Sequence, residues 1–173
     1  MQNNKYTYIQ NIIIGGLGST LRILDKADAF IKEGKSTEQD LLNSTLISDM
    51  FNFTKQIQTI SDSAKSAMAK LSGTEAPAMP DTETSIAQLK ERIANTLNYV
   101  QTFNAESFEG AADVKVKFTW MPGKYIESED FVNTFVIQNI MFHIVTAYDI
   151  LRMKGVQIGK MDFIGNFPMH DEA

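Results

Sequence analysis

The chain has 173 residues, 43% of them hydrophobic, which suits one domain with a single sizeable core and leaves too little for a second. A formal charge of -5 with no basic stripe argues against a nucleic-acid binder that works through phosphate contacts. With no cysteine there is no disulfide framework, no thiolate metal site and no cysteine nucleophile, a composition that suits a reducing cytoplasm.

From residue 7 to 32, apolar residues at Ile9, Ile13, Leu17, Leu21, Leu24, Ala27 and Ile31 recur every three or four positions and predict a first long helix. Gly15, Gly16 and Gly18 lower its propensity, so they predict a close approach by another backbone. GGLGST is not a phosphate loop, because it lacks the spacing and the lysine and follows no strand. The apolar run 9–24 carries Gln10, Asn11 and Arg22 and is too short to span a bilayer; it also lacks the basic start and cleavage site of a signal peptide. The expectation is a soluble cytoplasmic chain with no membrane partner and no nucleic acid.

Residues 33–47 form a polar connection in which Ser36 and Gln39 have capping-box spacing around a short turn at 37–43. Ser48 is predicted to cap a second long helix over 49–71, with Asp49 at its positive end and Gly73 closing it. Asp49, Asn52, Phe53, Gln56, Ile60 and Ser63 share one face of it. Two prolines in 73–81 predict an extended linker. A third helix is expected over 82–103, with Ile86, Leu89, Ile93, Leu97 and Val100 buried and Lys90, Glu91, Arg92, Asn95 and Asn98 solvated. VKVKFTW, MPGK and YIES read as a small β-hairpin with Val114, Val116 and Phe118 on one face and Trp120 at its end.

The last long helix, 129–154, is capped by Ser128 and ended by Gly155. It is apolar around most of its circumference but broken by Gln138, Asn139, His143, Thr146 and Asp149, polar groups that need partners if buried. The tail after Val156 carries enough apolar residues to fold back onto the helices, with fraying from Pro168 onward. The sum is an all-α four-helix bundle with a small β-hairpin before the last helix.

The segments SDMFNFTKQIQTISDSAKSAMAKLSG at 48–73, DTETSIAQLKERIANTL at 81–97 and NIMFHIVTAYDILRMKGVQIGKMDFIG at 139–165 closely resemble a family of bacterial domains of unknown function in the DinB/YfiT-like superfamily. With a matching first helix the resemblance covers nearly the whole chain, 1–173, as one domain. It implies an up-down-down-up bundle whose second and third helices are parallel, with the 73–81 linker as crossover. It also implies, for some relatives, metal-dependent thiol transferases and isomerases in which three histidines hold a divalent ion, one from the second helix and two from the fourth at i and i+4.

This chain departs from that pattern. Its two histidines are His143 and His170, and the positions four away from His143 are Asn139 and Ala147, so a three-histidine site is impossible. A weaker oxygen-rich metal site would use His143 with Asp49 and Gln56, since carboxylate and imidazole together suit several divalent ions. A lone histidine between Phe142 and Ile144 is more often a hydrogen-bonded core residue, with Asp49, Gln56 or Asn139 as its partner. The leading expectation is a bundle without a metal cofactor that keeps a small polar pocket between the second and fourth helices, lined by Asp49, Gln56, Asn139 and His143. It would serve as a small-molecule-binding or stress-related protein. The alternative is an atypical metal-dependent transferase or isomerase working through His143; a third reading is a homodimer module.

Overall fold

The computed structural model describes residues 5–172. Four long helices carry the chain: α1 (Lys5–Lys32), α3 (Phe53–Ser72), α4 (Ile86–Gln101) and α5 (Ser128–Met153). A short α2 (Glu38–Asn43) lies in the first connection, and α6 (Lys160–Ile164) follows the last long helix. Before α5 the chain makes two strands, β1 (Lys115–Val116) and β2 (Ile126–Glu127), paired antiparallel with Lys115 opposite Glu127 and Val116 opposite Ile126.

Cross-helix contacts fix the directions. Gln10 near the start of α1 donates to the Val100 and Phe103 carbonyls at the end of α4, so these two run antiparallel. Gln56 meets His143 and Ser63 meets Asn139, which makes α3 and α5 antiparallel. Tyr6 meets Ser128, and Gly16 lies against Ile140 and Ile144, so α1 and α5 are parallel. The 73–85 connection returns along α3, Pro77 beside Lys65 and Asp81 beside Lys55, and delivers α4 parallel to α3. This is the up-down-down-up order.

The crossover is anchored rather than loose. Ser61 and Thr96 share a 2.7 Å hydrogen bond, and the Met79 sulfur sits 3.7 and 3.6 Å from their oxygens. Beside them Arg92, with only 2% of its side chain exposed, donates to Glu83 at 2.8 Å, to Asp62 at 2.7 Å and to the Pro80 carbonyl at 3.2 Å, and it lies 3.0 Å from Asp81. The expected solvated side of α4 is therefore corrected at this residue. Its neighbours face water while Arg92 points into the crossover, where three carboxylates neutralise it.

Helix starts also differ from expectation. Asn52, not Ser48, caps α3: its side chain accepts the Lys55 N–H at 2.9 Å, and its extended backbone excludes it from the helix. Asp49 therefore precedes the helix instead of opening it. Ser85 caps α4 by accepting the Gln88 N–H at 3.2 Å, so the helix begins after Thr82, and Thr37 rather than Ser36 caps α2. The hairpin is shorter than its alternation suggests, with Val114 and Phe118 outside the paired residues. Among the three glycines of α1 only Gly16 is tightly packed, and against the Ile144 side chain rather than a backbone.

Buried residues of all four long helices form one continuous apolar cluster. By length and composition α5 could cross a membrane, but Ile140, Ile144, Ala147, Ile150 and Leu151 are buried within the bundle, as in a core helix. The tail folds back as expected: Arg22 of α1 donates to the Asp162 and Phe163 carbonyls, both at 2.9 Å, and so caps the end of α6.

Candidate functional site

Two of the polar residues that break the apolar surface of α5, Asn139 and His143, face α3. His143, 8% exposed, places Nδ1 2.6 Å from Gln56 Oε1, and Gln56 Nε2 donates to the Phe51 carbonyl at 3.1 Å. The second bond orients the first. Because the Gln56 amide nitrogen is committed to a carbonyl, its oxygen must face the imidazole, and Nδ1 carries the proton that it donates. Nε2 is left with a lone pair and has no hydrogen-bond partner among the described residues. The Phe51 ring stacks on one side of the imidazole at 6.4 Å, and Phe142 meets it edge-on at 5.3 Å.

Burial pushes the His143 pKa below its ordinary value, because the charged form loses water and gains no anion. The group is thus a neutral imidazole at pH 7. With a folded-state pKa below the unfolded one, its stabilisation is complete above about pH 6.5 and is lost as the pH falls below that. NMR titration of the ring should give a midpoint below about 6.5, and Gln56→Glu should raise it by about 1 unit or more by placing a carboxylate at Nδ1. A wild-type midpoint above that value would refute the neutral, amide-bonded arrangement.

One turn earlier on α5, Asn139 Nδ2 donates to Ser63 Oγ at 2.8 Å. So Gln56, Asn139 and His143 are all at the α3–α5 interface, in two separate pairs. Asp49 is not with them. It is exposed in the turn before α3, and its carboxylate has no hydrogen-bond or ion-pair partner among the described residues.

A divalent centre of the superfamily's kind needs three protein donors aimed at one point with a position left open. Among the described residues no group of three or more His, Cys, Asp or Glu side chains is so arranged. Gln56 has turned its only acceptor onto Nδ1–H, which leaves Nε2 as a single ligand. The residues present do not fit that centre.

The interface opens at its Asn139 end. A cavity of about 300 Å³ opens between α3, the first turns of α5 and the loop after β1. Phe118, Trp120, Phe131, Phe135 and Val136 form its apolar wall. Ser63, Ser66, Lys70 and Asn139 form its polar floor, with Asp62, Lys117 and Thr119 at its margin. The Phe131–Val136 stretch of α5 is π-helical, and this wider turn sets where Phe131, Phe135 and Val136 emerge; such turns recur at functional sites. Phe118, Trp120 and Phe135 also border an adjoining apolar hollow of about 380 Å³.

Sequence reasoning groups Asn139 with Asp49, Gln56 and His143 rather than with this cavity, and names Ser63 and Trp120 without joining them to it. It misses Phe131, Phe135, Ser66 and Lys70. A lysine in the last turn of α3 reads as a partner for the helix dipole, and nothing in the local pattern marks a π turn.

The comparisons agree with this fold. A family model described as "Domain of unknown function (DUF1993)" matches residues 6–164. The crystal structure of a DinB family member protein from Shewanella denitrificans matches with a TM-score of 0.88 and 36% sequence identity, covering 98% of this chain and 100% of that one. No curated protein matches the chain. A family model that spans nearly the whole bundle, with a similar solved structure of the same topology, means that the chain belongs to this DinB-like domain-of-unknown-function family.

Proposed function

We propose that the protein is a small-molecule-binding DinB-like bundle, with its ligand seat in the cavity between α3 and α5 beneath the loop after β1. The observation that carries this reading is the lining: an aromatic wall facing a floor of hydroxyl, amide and ammonium groups, the composition of a binding site rather than of a packing defect. The His143–Gln56 pair then has a positioning role, locking α5 against α3 one turn from Asn139. The competing reading, a metal-dependent transferase or isomerase working through His143, is left with one imidazole nitrogen to hold its ion, which is why we favour the binding protein.

Trp120 is the chain's single tryptophan and borders the cavity, so its fluorescence reports occupancy without a label. Screening a small-compound collection should find ligands that shift or quench it. Ser63→Leu, which fills the floor, should abolish those responses while leaving the helical circular-dichroism signal intact. Binding that survives Ser63→Leu unchanged would move the site elsewhere.

A further inference from the structure

We propose that this cavity selects an organic anion, a small carboxylate with a flat apolar body; the proposal rests on the cavity being the ligand seat. The argument starts from Lys70. Seven lysines, Lys26, Lys32, Lys35, Lys55, Lys65, Lys90 and Lys154, each lie within ion-pair distance of a carboxylate. Lys70 does not. It is half-buried, and its ammonium donates to a neutral group, Ser66 Oγ, at 2.6 Å. Burial pushes its pKa down, which is the direction for a cation held without a counter-charge.

The cavity's own carboxylate is already spoken for. Asp62 Oδ1 lies 2.7 Å from Arg92 and 3.0 Å from Lys65, so two other cations already balance its charge. Lys117 at the margin has no ion-pair or hydrogen-bond partner among the described residues. Two cations without carboxylates therefore border one cavity.

The neutral groups of the floor point the same way. Ser66 accepts from Lys70, and Ser63 accepts from Asn139, so each hydroxyl keeps its own proton to give. The floor thus offers an ammonium and two O–H donors, a set that matches the lone pairs of a carboxylate. Opposite stand Phe118, Trp120, Phe131 and Phe135, with the Phe118 and Trp120 rings 4.8 Å apart. Those rings offer an apolar body a face to stack on, next to the ammonium.

The test uses phenylpropanoate and its neutral primary amide, probes of the same shape that differ in charge. Binding is read by Trp120 fluorescence and by backbone amide shifts of residues 63–70 and 131–139. The acid should bind the wild-type protein at least about tenfold more tightly than the amide, with a preference that weakens as salt is raised. Lys70→Met should erase the preference by weakening the acid alone, and Lys70→Arg should keep most of it. Equal binding of acid and amide to the wild type would overturn the anion assignment and leave the ligand seat standing. Failure of both probes to move Trp120 or the cavity amides would overturn both.

Discussion

Replacing Arg92 by methionine should lower stability by about 3 kcal/mol at pH 7, the low end of the range for breaking a buried ion pair. For a chain of this size that is a fall of about 10 °C in Tm. Methionine fills much of the space but withdraws the charge that holds three acidic side chains from α3 and the crossover. Glu83 suffers most: 10% of its side chain is exposed, and it keeps only neutral partners, the Gln58 amide at 2.8 Å and its own backbone N–H. Asp81 and Asp62 retain Lys55 and Lys65 and are partly exposed, so they limit the loss. The pH dependence separates charge from packing. Burial opposes ionisation of Glu83 and Asp81, yet hydrogen bonds and nearby cations, Arg92 in both cases, outweigh it and hold both carboxyls below their usual values. Their stabilising contribution is therefore complete above the unfolded-state values near about 4 and is lost as the pH falls through the folded ones. Denaturant melts at falling pH should show the wild-type and variant curves converging in acid. A gap that stays constant with pH would mean that the loss is one of packing only.

The Arg92 cluster also shows where a sequence stops being informative. The bundle is legible because each long helix carries its buried stripe in its own residues, at a spacing that no strand or loop shares. Arg92 follows Glu91, which does face water, and its partners Asp62, Asp81 and Glu83 come from α3 and the crossover. Nothing local distinguishes it from a wet surface. The start of α3 is a similar case. Ser48 and Asn52 are both good caps, and the choice falls to Asn52 in a structure where the Ser44 carbonyl takes the Phe53 N–H at 2.8 Å.

The candidate site divides along the same line. His143, Asn139 and Gln56 are legible because polar residues that interrupt apolar faces on two facing helices need partners, and they find them across the α3–α5 interface. Asp49 is missed because its placement depended on a helix beginning four residues too early. The cavity itself is built by a loop closing over a π turn, so its wall depends on how three segments meet, and only Trp120 announces it in the sequence.

Gly16→Leu should cost about 2–3 kcal/mol, or a fall in Tm of roughly 6 °C or more, because it drives a side chain into a close contact between α1 and α5. A Cβ at this position already lies 2.9 Å from Ile144 Cδ1, with Ile140 at 3.7 Å and Met141 at 3.9 Å. Gly16→Ala is the mild control. Its methyl group needs the end of one flexible side chain to shift, and the gain in helix propensity of about 1 kcal/mol offsets much of that strain. Leucine adds three more carbons where Ile144, fully buried, has no room to retreat. The wedge should also reach the site, since Ile140 and Ile144 face α1 from the same turns of α5 that carry Asn139 and His143 toward α3. Adding Ile144→Ala to Gly16→Leu should recover part of the loss, although Ile144→Ala alone costs about 2–5 kcal/mol by opening a cavity. Thermal melts of the four proteins in this cycle measure the coupling. Simple additivity would mean that α1 and α5 move apart freely, and α5 would then be too loosely held to position Asn139 and His143 against α3.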